Sequence, residues 1–324
     1  AGSSRRRAGV KPTSADRRIR DLRPAKQPVD AWRPLEVLVE EERTLDRGVQ
    51  PSITVFLAGR ECPFTCVFCD LWRQTLDGPT PAGAIPAQLD EALRRIGSVP
   101  PAAGAKLYNA SNFFDPRAVP SADGPAIAKH LSPFARVTVE SHPLFVGPRA
   151  LEFATLLDGH LEVAMGLETI HPQALPRLNK QMELEDFDRA ADLLRRAGVG
   201  VRSFVLVGAP FVPAAETVEW AVRSAEYALD RGAEVVTLIP VRAGNGELDR
   251  LQREGDFVPP ALAQLEEALE RSLELGRGVV LADLWDVDRL ATCQVCAPER
   301  VARLERINLT GRPEEPVGCQ QCRS

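Results

Sequence analysis

Residues 52–70 read SITVFLAGRECPFTCVFCD, an apolar β-type run followed at once by a loop carrying Cys62, Cys66 and Cys69. The run Ser52–Ala58 is short, mostly apolar and rich in β-branched residues, as a strand buried on both faces should be. Comparable runs recur at Ala105–Ala110, Ala135–Ser141, Leu161–Leu167, Val201–Val207, Glu234–Ile239 and Gly278–Leu284. Between them lie stretches of helical periodicity, among them Ala87–Ile96, Asp186–Ala197, Ala214–Arg231 and Pro260–Leu275. Strand–helix alternation of this kind builds βαβ units and a parallel sheet. Six or seven units predict an α/β fold of the partial (β/α)6-type TIM barrel class. The Cys loop then sits at the C-terminal end of the first barrel strand, the face where barrel active sites collect. Pro34–Asp46 reads as a short amphipathic helix leading in.

The three thiols are spaced CxxxCxxC. Zinc sites close with a fourth ligand, commonly from a second CxxC pair. Iron–sulfur cubanes take one thiolate per iron, so a three-thiolate loop leaves one iron open to an outside molecule. The other four cysteines form Cys293/Cys296 and Cys319/Cys322, two CxxC pairs that match each other. They predict a metal-binding appendage over residues 291–324, holding either zinc or a second iron–sulfur cluster.

CxxxCxxC with an aromatic residue, Phe68, before the last Cys resembles the signature of the radical S-adenosylmethionine (SAM) superfamily. The resemblance covers about residues 50–290 and is nearest to the branch containing Elp3 and the archaeosine-biosynthesis radical SAM protein. Its carriers are 108–117 (YNASNFFDPR), 139–143 (VESHP), 164–169 (AMGLET), Leu178-Asn179-Lys180 and 204–211 (FVLVGAPF). It implies a [4Fe–4S] cluster on Cys62, Cys66 and Cys69, SAM chelated at the open iron, and a reducing partner such as flavodoxin or ferredoxin. Position by position, it places Asn109, Ser111 and Asn112 where the family has a Gly-Gly-Glu-like segment, a wording this sequence departs from. It sets Glu140 and Glu168 at strand ends that touch SAM, and Arg202 at a position pairing with the SAM carboxylate. No catalytic residue is nominated. His142, near a strand end, is a candidate hydrogen-bond or proton donor to substrate, and residues 239–246 (IPVRAGNG) are a candidate lining for adenine or substrate.

Residues 1–33 hold ten Lys/Arg against Asp16, Asp21 and Asp30, in a chain whose net charge is −5. They are expected to form a flexible basic arm, with tRNA as a candidate partner; the barrel domain is expected over 34–290. The acidic remainder argues against a large nucleic-acid footprint. The function expected is therefore a radical SAM enzyme acting on a small metabolite or natural-product intermediate. The alternatives are a tRNA- or nucleoside-modifying enzyme of the archaeosine type, and a non-enzymatic metal-stapled binding protein. No run of 18 apolar residues is present, and a cytoplasmic location is expected.

Overall fold

The computed structural model describes residues 12–322. In chain order it begins with α1 (Ser14–Asp21), β1 (Glu36–Thr44), β2 (Gly48–Phe56), α2 (Ala84–Ile96), β3 (Gly104–Tyr108), α3 (Gly124–Leu131) and β4 (Arg136–Glu140). It continues through α4 (Pro148–Ala154), β5 (His160–Glu168), α5 (Leu184–Arg196), β6 (Gly200–Val207) and α6 (Thr217–Asp230). The last elements are β7 (Val235–Pro240), α7 (Glu247–Glu254), α8 (Leu262–Leu273), β8 (Val279–Ala282) and α9 (Ala297–Thr310). All seven apolar runs expected as strands are strands, β2 to β8. They pair in parallel in sequential order, as right-handed βαβ crossovers dictate. Their helices cover the outside, and side chains such as Ile53, Leu107, Val139, Val163, Val205 and Phe187 are buried between the two layers.

Two expectations are corrected. Residues 36–44 form β1, not a helix, and pair antiparallel with β2 through a hairpin whose Gly48 sits at φ 70°. The charges misled the helical reading, because Glu42 points into the barrel. There it meets Arg202 at 2.6 Å and Lys106 at 2.9 Å. Residues 12–33 are packed on the barrel and are not a loose arm: Asp16 and Ile19 are buried, and Arg18 pairs with Glu247, Arg23 with Glu61, and Lys26 with Glu61 and Asp77. Residues 1–11 of the expected arm lie outside the described residues. The C-terminal segment contains α9, which shows weak apolar periodicity because two buried face positions are Arg300 and Arg303, paired with Glu266 and Glu270.

α9 also finishes the barrel. β1 and β8 are the two edges of the sheet. Asn308 of α9 bonds the backbone of Ala282 in β8 through both amide atoms, at 2.8 Å each. From β1, Arg43 donates to the carbonyls of Asn308 (3.1 Å) and Val280 (2.9 Å). The open seam is thereby bridged by one helix and one arginine.

Candidate active site

Cys62, Cys66 and Cys69 lie in the loop after β2, and almost every turn of that loop is tied to a different element. The Val67 amide donates to the carbonyl of Leu178 (3.0 Å). Asn179 donates to the carbonyl and hydroxyl of Thr65, at 2.9 and 2.8 Å. Asn245 donates to the carbonyls of Val67 (2.9 Å) and Cys69 (3.2 Å), and the Trp72 indole also reaches Cys69 (3.2 Å). From α1, Asp16 accepts from Thr65 (2.6 Å) and Asn179 (2.9 Å). Arg23 pairs with Glu61 at 2.7 Å while lying over the Trp72 ring. The loop is a preorganised frame rather than a flexible turn.

Burial pushes the Cys62 thiol up to about 11 and Cys69 up to about 12, and raises Cys66 well above its usual value. Thiolates here need a cation to sustain them, which is the condition of a metal site. Lys180 supplies one charge nearby. It is itself buried and bonded to Glu168 at 2.6 Å; burial alone would discharge it, but Glu168 with Cys66 and Cys62 raises its pKa and keeps it charged. Gly166 leaves the room for this pair: a Cβ there would stand 1.9 Å from Glu168 Oε1 and 2.6 Å from Lys180 Nζ. Glu168, Asn179, Gln181 and, across the site, Ala110 all have positive φ. Such backbone costs roughly 1–3 kcal/mol per residue and concentrates at functional sites.

The segment expected to replace the Gly-Gly-Glu wording is brought to the same place. Asn112 donates to Cys62 Sγ at 3.4 Å and accepts from the His142 amide at 2.7 Å. Asn109 is fully buried, yet neither of its amide atoms has a partner, and the Ser111 hydroxyl is likewise unpartnered. Buried polar groups are nearly always satisfied, so these orphans mark a place where a polar ligand fits. Glu140 shapes this turn by accepting from the Asn109 and Ala110 amides at 2.6 and 2.8 Å. Burial nevertheless carries its carboxyl up to about 7. Phe68 packs half-buried against the core.

Two expected roles change. Arg202 lies near the start of β6 with its guanidinium on Glu162 (2.8 Å) and Glu42 (2.6 Å), an internal ion-pair network in place of a ligand carboxylate. His142 stacks on Phe64 at 4.0 Å. One of its ring nitrogens bonds the Lys180 carbonyl (3.0 Å) and the other accepts from the Leu144 amide (3.1 Å), so both are occupied within the chain. Burial, aided by Lys180, keeps the ring neutral. Asp16, Asn245 and a role for Lys180 were missed. The Leu178-Asn179-Lys180 block and the 239–246 stretch carried a signal of the latter two, and Asp16 had none.

The four C-terminal thiols form a separate centre. Among the described residues, Cys293, Cys296, Cys319 and Cys322 are the one Cys/His/acid group whose ligand atoms all lie within 4.8 Å of one another. Cys293 and Cys319 sulfurs are 3.9 Å apart, and those of Cys296 and Cys322 are 3.7 Å apart. A zinc–sulfur bond of about 2.3 Å puts tetrahedral thiolates about 3.8 Å apart. The thiolates on a cubane's separate irons stand farther apart.

The fold was compared with solved structures. The Elp3 of Methanocaldococcus infernus, with residues 1–46 deleted, superposes with a TM-score of 0.52 at 14% identity, covering 70% of this chain and 59% of that one. A radical SAM methyltransferase from Sphaerobacter thermophilus gives 0.51 at 17% identity, covering 80% of each chain. The fold is that of the radical SAM enzymes. The chain spans less than two thirds of the Elp3 chain's length. No protein-family model matches it. In sequence, the chain is 23% identical over 301 residues to an uncharacterized protein of Methanocaldococcus jannaschii, covering 87% of this chain and 82% of the relative. It is 24% identical over 308 residues to archaeosine synthase subunit beta of Methanosarcina acetivorans, covering 90% and 86%. Among the described residues no helix is long and apolar enough to cross a membrane.

Proposed function

We propose that the protein is a radical SAM enzyme, with a [4Fe–4S] cluster on Cys62, Cys66 and Cys69 and SAM bound beside it. The observation that carries this is the juxtaposition of a three-thiol loop with the orphaned amide of Asn109 and hydroxyl of Ser111. When bound, the cluster and SAM together supply a 5′-deoxyadenosyl radical, drawing one electron from a reductant of the flavodoxin or ferredoxin kind. The chain's own residues hold and shape. Asn109 and Ser111 offer unspent hydrogen-bonding groups to the polar end of SAM. Glu140 fixes the backbone that presents them. Lys180, neutralised in part by Glu168, contributes positive charge beside the thiolates.

A second reading concerns substrate. The similarity to archaeosine synthase subunit beta, spread over nine tenths of the chain, favours a nucleoside over an unrelated metabolite. Residues 12–33 have less charge to offer RNA than their composition suggests, because Arg18, Arg23 and Lys26 are engaged with acids of the barrel. At the C-terminal thiols we propose zinc, on the sulfur spacing.

The test is anaerobic purification with iron, sulfide and zinc analysis, then incubation with SAM and dithionite. About four irons and one zinc per chain are expected, with 5′-deoxyadenosine formed. Cys66→Ala should lose the cluster and all 5′-deoxyadenosine; retained cleavage would end the assignment. About eight irons without zinc would replace the zinc reading with a second cluster.

A further inference from the structure

The salt bridge between Glu42 on β1 and Arg202 on β6 joins strands that are not neighbours in the sheet, so both side chains face the barrel lumen. Side chains alternate along a strand, and two residues nearer the C-terminal end the lumen changes character. There Tyr108, two beyond Lys106, meets Phe204, two beyond Arg202, with ring centroids 6.3 Å apart across the width of β4 and β5. Phe56 pairs with Tyr108 in strand register and touches its ring at 6.0 Å. Just past β8, Trp285 lies 6.0 Å from Phe56 and keeps 51% of its surface exposed. Four rings therefore run from the lumen wall to the rim. Beneath them the charges are matched: Arg202 binds Glu42 and Glu162, and Lys106 binds Glu42. In register with Phe204, Thr237 holds a buried hydroxyl without a partner.

We propose that this aromatic wall binds a flat heteroaromatic ring of the substrate, a nucleobase-like group, stacked at Trp285 and hydrogen-bonded at its edge by Thr237. The inference rests on the radical SAM reading of the adjacent loop. Both cations of this floor are engaged by Glu42 and Glu162, which leaves none for an anionic head group. The rings, in contrast, offer polarizable surface, on which a stacked base is worth roughly a tenfold to hundredfold gain in affinity. A saturated sugar gains none of that stacking.

Equilibrium dialysis of the anaerobic, cluster-loaded protein tests this, with S-adenosylhomocysteine saturating the SAM site. The probes are guanosine, adenosine, cytidine, L-tryptophan, ribose and total tRNA. At least one ring compound should bind while ribose does not. Trp285→Ala should weaken it roughly tenfold or more, while Trp285→Phe stays near wild type. Tyr108→Leu, checked for unchanged iron content, should weaken it as well. If tRNA binds tighter than every free ring compound and loses that advantage in Trp285→Ala, the ring belongs to a base in RNA; equal or weaker tRNA binding assigns it to a free heterocycle. Ribose binding as well as the ring compounds, or affinities unmoved in both Trp285→Ala and Tyr108→Leu, would overturn the substrate class. Formation of 5′-deoxyadenosine by the same wild-type sample leaves the radical SAM reading standing in that event. Its absence removes both.

Discussion

At the scale of single residues, the site is built from long-range contacts around a locally legible core. The three cysteines are decided by spacing and ligand count, and the structure gives them the surroundings their chemistry needs. Asp16 was invisible beforehand, because its partners Thr65 and Asn179 lie 49 and 163 residues away. Against its burial, the hydrogen bonds from Thr65, Asn179 and Thr13 hold its carboxyl down from 3.8 to about 2. A depressed acid stabilises the fold in full above its unfolded value, and that contribution fades as the pH falls through the folded one. Asp16→Asn should therefore cost about 1–2 kcal/mol at pH 7, after allowance for solvent screening. Urea midpoints of the two proteins should converge as the pH falls from about 4 toward 2. A gap that stays constant down to pH 2 would mean that Asp16 acts through packing alone.

At the scale of elements, β2 to β8 could be read because strands buried on both faces are apolar throughout and stand out against polar turns. β1 could not, since its inward-facing Glu40 and Glu42 answer Lys106 across the lumen, a pairing no periodicity reveals. α9 hid for a related reason, its buried face resting partly on Arg300 and Arg303. The basic N-terminal segment looked like a solvated tail, because charge runs usually are. Its acidic partners Glu61, Asp77 and Glu247 are scattered along the chain. Placed as it is, the segment braces the cysteine loop: Asp16 holds Thr65 just before Cys66, and Arg23 holds Glu61 just before Cys62. Leu22 seats against Gly246, where a Cβ would lie 2.1 Å from the Leu22 carbonyl oxygen. Deleting residues 1–27 should leave the barrel folded by circular dichroism yet lower the iron retained per chain, with severalfold faster loss to a chelator. Full iron retention in a folded deletion protein would show that the segment only covers the surface.

At the scale of the whole molecule, the two proposed metal centres would divide the work of holding and reacting. The cysteine loop caps the C-terminal mouth, where the lumen rings and the orphaned polar groups converge. The four C-terminal thiols secure the other structural weakness, the seam between β1 and β8. Cys296 is the residue from which α9 starts and Cys293 lies one turn before it. Cys319 and Cys322 bring the chain end back to that point, past Glu314 and Glu315, whose carbonyls accept from Arg303. The proposed zinc ion would fasten both ends of the segment that bridges the seam. Because such a site forms only in the folded state, its binding energy adds to folding stability. Cys319→Ala should therefore abolish bound zinc and lower the thermal midpoint by several degrees or more. Iron at Cys62, Cys66 and Cys69 should stay at the wild-type level, since no ligand of that loop comes from the tail. If iron falls together with zinc, the seam and the mouth are mechanically coupled through β1 and β2, and α9 belongs to the support of the reacting site.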